Sequence, residues 1–243
     1  MRLHHSRFRR FHHSLWAIGL IALGLSSGAC AQGPETTTPK PRDGRWMDLH
    51  NQFVERAKLG HVDLLFLGDS ITQGWHENDV WKRFYGPRRA ANFGIGGDRT
   101  QHVLWRIQNG ELDGIAPKVV VLMIGTNNAD NASAEDIAKG VTAIVEEVRN
   151  RLPKTRILLL AVFPRRDKPP AIQEKLDRVN ATIAHLDDGS HVKFLDIGKA
   201  FLEPDGSISR DVMPDLLHLS QKGYRRWADA MEPTLWSMLD EPR

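Results

Sequence analysis

Four short polar stretches of this sequence hold the residue types needed for acyl transfer. They are Gly68-Asp69-Ser70, Gly94-Ile95-Gly96-Gly97-Asp98, Gly125-Thr126-Asn127-Asn128 and Asp215-Leu216-Leu217-His218. A serine hydroxyl is a weak nucleophile, so it needs a base within hydrogen-bond reach, an acid that orients this base, and donors for the developing oxyanion. The sequence offers Ser70 as the nucleophile, His218 as the base and Asp215 as the acid.

Three groups are candidate donors to the oxyanion. The Ser70 N–H would lie at the start of a helix, and the Gly97 N–H and the Asn127 side-chain amide could point at the same oxygen. Each residue also has an ordinary structural explanation: Ser70 as a helix cap, Gly97 as a turn residue with positive φ, and Asn127 as a loop-capping asparagine. Likewise, Asp215 and His218 could form a surface ion pair or half of a metal site.

Three other motifs fail on inspection. The glycines from position 94 do not complete G-x-G-x-x-G, because the third glycine would fall at Arg99. The pentapeptide Gly24-Leu25-Ser26-Ser27-Gly28 matches G-x-S-x-G but lies in a targeting segment. His76-Glu77 lacks the second histidine of H-E-x-x-H. We therefore expect neither a metal nor an organic cofactor.

The elements that must position these residues follow from the apolar pattern. Apolar runs predict strands at residues 62–67, 90–93, 119–124, 157–163 and 192–195. Stretches of helical period lie between them, including one capped by Ser133 and a last helix capped by Ser220 and kinked by Pro233. This alternation predicts an α/β fold: a three-layer α/β/α sandwich around a five-stranded parallel sheet.

The N-terminus is predicted to be a targeting region. Residues 1–31 combine basic residues, an apolar run and a small-residue end, which is typical of a signal peptide and predicts export to the periplasm or beyond the cell. Cys30 leaves open a second route, in which the protein is a lipoprotein anchored through this cysteine. Residues 32–44 are rich in Pro, Thr and charge and predict a flexible leader, followed by the domain at 45–243.

The charge distribution argues against a nucleic-acid partner. The chain has 243 residues and a formal charge of +3, but the first 31 residues contain four arginines and no acidic residue. Without them the charge is close to neutral, and the remaining arginine pairs are too short to form a basic stripe. The only cysteine lies in the same segment, so the domain is predicted to lack internal disulfides.

The four polar stretches, in this order and spacing, resemble the SGNH hydrolases, also called GDSL esterases or lipases. The resemblance covers about residues 60–225 and implies a flavodoxin-like fold. It implies that Ser70, Asp215 and His218 form a catalytic triad, with Ser70, Gly97 and Asn127 as the oxyanion hole. One departure is Asn128, where many members of the family have Asp.

Within that family, residues 92–106 and 125–128 look most like the catalytic α subunits of platelet-activating factor acetylhydrolase. This likeness implies an acyl pocket closed by Ile71, Thr126 and Leu217, and hence a short acyl group. We expect an esterase for short-chain, acetyl-type esters, acting on acetylated carbohydrate outside the cytoplasm. The alternatives are a lysophospholipase-like lipid esterase and a non-catalytic carbohydrate-binding module. The sequence leaves open whether the protein is a homodimer.

Overall fold

The computed structural model describes Met1 and residues 35–239, and their central element is a parallel sheet. Its strands are β1 (Leu64–Gly68), β2 (Ala90–Gly94), β3 (Val119–Met123), β4 (Arg156–Leu160) and β5 (Val192–Leu195). The strand order is β2-β1-β3-β4-β5, and every neighbouring pair is parallel. The predicted fold class is therefore confirmed.

The strand that differs most from its predicted bounds is β4. The sequence predicts a strand to residue 163, but β4 ends at Leu160. Residues 161–163 remain buried, with exposed fractions of 1–2%. The neighbouring β5 ends at Leu195, whose carbonyl accepts the last bond from the Ala161 N–H. The buried apolar run therefore continues for three residues after β4 has ended, which is why the predicted strand was too long.

Helices cover both faces of the sheet. They are α1 (Arg45–Lys58), α2 (Ser70–Gln73), α3 (Asp79–Phe84), α4 (Thr100–Arg106), α5 (Ala134–Arg151), α6 (Pro170–Ile183) and α7 (Gln221–Leu239). Ser133 Oγ accepts the Asp136 N–H at 3.1 Å, and Ser220 Oγ accepts the Gly223 N–H at 3.2 Å, as expected for the caps of α5 and α7. Pro233 lies inside α7.

Two hydrophobic cores result from the alternation of side chains along each strand. On one face, Leu65 and Leu67 of β1 pack with apolar residues of α1, α4, α5 and α6. On the other face, Leu64 and Phe66 pack with α3 and α7, including Trp227. A strand that is buried on both faces must be apolar at every position, which explains the continuous run of β1.

The N-terminal segment (residues 35–44) differs from the predicted flexible leader. Thr36 is only 3% exposed, and its Oγ1 donates to the Asp136 carbonyl at 2.7 Å. The described residues from Glu35 onward belong to one compact unit. The domain therefore begins before Arg45. The prediction differed because local composition does not reveal that these polar residues have partners far away in the sequence.

Some predictions fall on positions that the structure does not describe. The signal peptide (residues 1–31), the anchoring cysteine Cys30 and the start of the leader (residues 32–34) lie outside the described residues, so they stay predictions. Among the helices that are described, none has the length and apolarity needed to cross a membrane.

Candidate active site

The candidate residues gather where the strand order reverses. From β1, the chain goes to β2 on one side and later to β3 on the other. In an open parallel sheet this switch point leaves a crevice at the carboxyl ends of the strands. The stretches that begin at Gly68, Gly94 and Gly125 all follow strand ends at this crevice.

The turn after β1 presents Ser70. Asp69 is the N-cap of α2, and its Oδ1 accepts the Ile71 N–H at 3.0 Å. Ser70 is the first residue of the helix, so its backbone N–H lies at the helix N-terminus. Because Asp69 is the cap, the Ser70 hydroxyl is free of the capping role that the sequence left open.

Two paired glycines let this turn lie close against the sheet. Gly68 of β1 and Gly94 of β2 are in register. A Cβ atom on Gly68 would lie 2.5 Å from the Met123 carbonyl oxygen, and one on Gly94 would lie 2.3 Å from the Gln73 N. These distances are shorter than any side chain tolerates, so the approach of α2 to the strand ends requires glycine at both positions.

Ser70, His218 and Asp215 form a hydrogen-bonded chain. The Ser70 Oγ lies 2.9 Å from His218 Nε2, and His218 Nδ1 lies 2.6 Å from Asp215 Oδ2. Asp215 Oδ1 also accepts the backbone N–H groups of Leu217 at 3.0 Å and His218 at 2.7 Å. Partial burial opposes ionisation of Asp215, but these hydrogen bonds outweigh it and lower the pKa of the carboxyl group.

The histidine loop (residues 214–218) is held by its backbone. Leu216 has φ of 65°, in the left-handed region that a leucine rarely adopts. Its N–H donates to the Met213 carbonyl at 2.9 Å, and its own carbonyl accepts the Arg166 N–H at 2.9 Å. These two bonds fix the sharp turn that directs Asp215 and His218 toward Ser70.

The glycine loop (residues 94–98) faces Ser70 from β2. Gly97 has φ of 75°, which favours glycine. A Cβ atom on the preceding Gly96 would lie 3.8 Å from the Ser70 Cβ, so this loop borders the serine directly. The Asn127 Nδ2 donates to the Asp98 carbonyl at 2.9 Å, which leaves its second N–H for another acceptor.

A buried ionic cluster lies under the glycine loop. Asp98 is fully buried, and its carboxylate accepts from Trp46 Nε1 at 2.6 Å and from Arg106 Nε at 2.8 Å. Burial raises the pKa of Asp98, although the Arg106 guanidinium opposes this effect. Arg106 in turn donates to the buried Glu111, whose other oxygen lies 3.1 Å from His50 Nδ1. This cluster was not predicted from the sequence, because Trp46 and His50 lie 52 and 61 positions away from their partners.

The predicted acyl-pocket residues differ in exposure. Ile71 and Thr126 are each 2% exposed, and Leu217 is partly exposed. Ile71 belongs to the core that faces α7, and the Thr126 Oγ1 accepts from Arg165 Nη1 at 2.9 Å. Neither Ile71 nor Thr126 therefore reaches an accessible surface. Ile71 packs in the core, and Thr126 is covered by its contact with Arg165. Arg165 is a further residue beside Asn127 that the sequence analysis missed.

A second carboxyl group lies next to the serine in a contrasting environment. Asp69 is fully buried, and its Oδ2 has no hydrogen-bond partner in the part of the chain that the structure describes. Burial raises the pKa of Asp69 to about 7. In the same described residues, no group of three or more His, Cys, Asp or Glu side chains could hold a metal ion.

Comparison with known proteins identifies the family. The model of the GDSL-like lipase/acylhydrolase family matches residues 66–226, which is more than half of the chain. The chain belongs to this family. As a GDSL acylhydrolase it is a carboxylic ester hydrolase, as the sequence analysis predicts.

A curated relative agrees with this assignment, and two solved structures share the fold. The chain is 42% identical over 217 residues to platelet-activating factor acetylhydrolase IB subunit alpha1 of Bos taurus, covering 86% of this chain and 93% of the relative. A GDSL-like lipase from Bacteroides thetaiotaomicron superposes with a TM-score of 0.61 at 18% identity, covering 79% and 96% of the two chains. A variant of an acetyl-xylooligosaccharide esterase from Geobacillus Stearmophilus gives 0.56 at 19% identity, covering 75% and 96%. These two structures support the fold alone.

Proposed function

We propose that the protein is an exported serine esterase for short-chain acyl esters, with acetyl esters of carbohydrate as its substrates. The observation that carries the catalytic part is the hydrogen-bonded chain from Ser70 through His218 to Asp215, which ends in the crevice between β1 and β3. A hydroxyl in contact with an imidazole that a carboxylate orients is the arrangement that activates serine.

The proposed mechanism uses only side chains and backbone groups of this chain. The Ser70 Oγ attacks the ester carbonyl carbon and transfers its proton to His218 Nε2, while Asp215 holds Nδ1 and stabilises the imidazolium. The oxyanion accepts from the Ser70 N–H, the Gly97 N–H and the second N–H of Asn127. His218 then protonates the departing alcohol. In the second half, His218 takes a proton from the water that attacks the acyl-enzyme and returns it to the Ser70 Oγ as the acid leaves.

The proposed acyl group is short. The curated relative, at 42% identity, is named an acetylhydrolase. Of the three residues that the family resemblance assigns to the acyl pocket, only Leu217 keeps accessible surface, so no long apolar groove is formed by them. A compact acyl site is consistent with acetate and disfavours long chains.

The proposed alcohol is a sugar, because polar side chains line part of the cavity beside the glycine loop. This cavity has a volume of about 330 Å³ and is lined by Arg42, Arg45, Trp46, Leu49, Gln73, Ile95 and Gly96. Arg45 and Gln73 offer hydrogen bonds to hydroxyl groups, whereas Arg42 is already bonded to the glycine loop. The predicted signal peptide, or the alternative of a lipoprotein anchor at Cys30, would take the protein outside the cytoplasm, so the proposed substrate lies there too. A lipid esterase is the second candidate, since the curated relative is named for platelet-activating factor.

The decisive experiment compares acyl chain length and alcohol on one protein. The full-length chain and its Ser70→Ala variant would be assayed on p-nitrophenyl acetate, butyrate and octanoate, on acetylated xylan, and on lysophosphatidylcholine. We expect a steep preference for acetate, release of acetate from xylan, and no activity in the variant. Equal rates on acetate and octanoate would contradict the short acyl site. Preferential hydrolysis of lysophosphatidylcholine would favour the lipid esterase.

A further inference from the structure

Arg42, in the N-terminal segment, reaches the glycine loop of the site. Its Nη1 donates to the Gly96 carbonyl at 2.9 Å and lies 3.3 Å from Asp98 Oδ1. These two acceptors belong to the residues on either side of Gly97. A Cβ atom on Gly97 would lie 3.4 Å from the same nitrogen, so the guanidinium packs directly against this residue. One side chain thus bridges the loop around a proposed oxyanion donor.

The position of Arg42 is fixed by the anchoring of its segment. The Thr36 Oγ1 donates to the Asp136 carbonyl of α5, and the Thr36 carbonyl accepts from the Thr100 Oγ1 at 2.9 Å. The Lys40 N–H donates to the Gln101 carbonyl at 3.1 Å. These contacts attach the segment to α4 and α5 just before the chain reaches Arg42. The arginine therefore approaches the loop from a fixed backbone.

The glycine loop needs such a support because few bonds hold its tip. The Gly96 N–H donates to the Gln73 side chain at 2.8 Å, and the Asp98 N–H donates to the Ile95 carbonyl at 3.2 Å. Gly97 itself is exposed and has a left-handed backbone conformation. The Asp98 carbonyl also orients the Asn127 amide. A shift of this loop would therefore displace two proposed oxyanion donors together.

The role of Arg42 is directional rather than a simple balance of charge. Asp98 is already paired with Arg106, which is fully buried, and accepts from Trp46. The Arg42 side chain is 38% exposed, so its ion pair with Asp98 contributes little by itself. What Arg42 adds is a single nitrogen, Nη1, that bonds the loop on both sides of Gly97.

We propose that Arg42 is a positioning residue for the oxyanion donors Gly97 and Asn127, so that one side chain of the N-terminal segment supports the active site. This inference rests on the proposed function. A positional error of about 1 Å can cost on the order of 10²-fold in rate, and removing a donor outright costs about 10²- to 10³-fold. Loss of a support should cost less, so we expect about a 10-fold fall in kcat.

The test compares Arg42→Gln, Arg42→Lys and the matched control Lys40→Gln in the full-length chain. Lys40 lies on the same segment, and its ammonium group is exposed. Kinetics would be measured on p-nitrophenyl acetate and acetylated xylan, together with the rate of labelling by a fluorophosphonate. We expect Arg42→Gln to lower kcat about 10-fold on both esters, with KM within about twofold and labelling slowed in parallel. Arg42→Lys should recover part of kcat, and Lys40→Gln should match the wild type.

Several results would overturn the proposal. One is a wild-type kcat in Arg42→Gln. Another is a higher KM on xylan alone, which would make Arg42 a contact for the alcohol. An equal loss in Lys40→Gln would indicate a general effect of positive charge. If Arg42→Gln does not fold, the same criteria apply to Arg42→Lys. Failure of the proposed function is a separate result: the wild type would then show no ester hydrolysis that Ser70→Ala abolishes.

Discussion

Two carboxylates lie near the serine and the histidine, and their surroundings are opposite. Asp69 precedes the serine and is fully buried, with one oxygen lacking a partner in the described residues. The Asp215 side chain is 56% exposed and receives hydrogen bonds from the histidine ring and from two backbone N–H groups. The pKa of Asp69 is raised to about 7, and the pKa of Asp215 is lowered.

The difference shows that the surroundings of a carboxyl group, rather than its closeness to Ser70 in the sequence, determine what it can do in the site. Two carboxyl groups in one site can serve different purposes when burial and hydrogen bonding separate their pKa values. Asp69 in the turn after β1 is held by burial, so its substitution should affect stability more than rate. The histidine loop is held by directed hydrogen bonds, so changes there should affect rate more than stability.

The largest effect is expected for Asp215→Asn. The amide would favour the wrong imidazole tautomer, so we predict that kcat falls by about 10³- to 10⁴-fold while the free energy of unfolding changes by less than about 1 kcal/mol. Steady-state kinetics and urea denaturation would measure both quantities. Asp211→Asn, on the exposed loop before the site, should keep full activity. A fall of less than 10-fold in Asp215→Asn would contradict the proposed orienting role.

A smaller effect of the opposite kind is expected for Asp69→Asn. Because the folded pKa of about 7 lies above the ordinary value of 3.8, the folded state holds a proton that the unfolded state has lost. The free energy of unfolding of the wild type should therefore fall as pH rises from about 4 to about 7, by about 2–4 kcal/mol. The variant keeps the acceptor for the helix cap and lacks this loss. Urea denaturation at several pH values would measure the difference, and identical pH profiles would show that Asp69 does not titrate as described.

The smallest effect is expected for Tyr224→Phe, which tests the support under the serine. Tyr224 Oη donates to the Ile71 carbonyl at 2.7 Å and anchors α2 to α7. Its loss should lower the free energy of unfolding by about 1–2 kcal/mol, because a buried carbonyl loses its donor. We expect kcat to change by less than about threefold. A fall in kcat of more than about threefold, without a fall in the free energy of unfolding, would contradict the contrast between the turn after β1 and the histidine loop.

Much of the fold and of the site was predictable from local patterns. Strand positions followed from apolar runs, and the caps Ser133 and Ser220 followed from residue type and spacing. The side chains of Ser70, His218 and Asp215 do meet: Ser70 follows the end of β1, and the turn at Leu216 directs Asp215 and His218 toward it. Each of these features depends on a short stretch of sequence and on topology.

The features that were missed depend on distant partners. Arg42 bonds residues that lie 54 and 56 positions away, so the composition of its segment suggested only flexibility. Arg165 contacts Thr126, which lies 39 positions earlier in the sequence. The neighbouring arginines 165 and 166 gave no sign of this contact. The burial of Ile71 arises from packing against α7, which a family motif does not specify. Such contacts follow from the folded arrangement rather than from residue type.

The paired glycines at the ends of β1 and β2 affect how mutational data on this protein should be interpreted. Neither Gly68 nor Gly94 bears a group that could react, yet any side chain at either position would collide with backbone atoms of α2 or β3. In a saturation screen for esterase activity, both positions should therefore be as intolerant as Ser70. Intolerance in such a screen would mark the space that the turn carrying Ser70 needs as strongly as it marks the proposed chemistry.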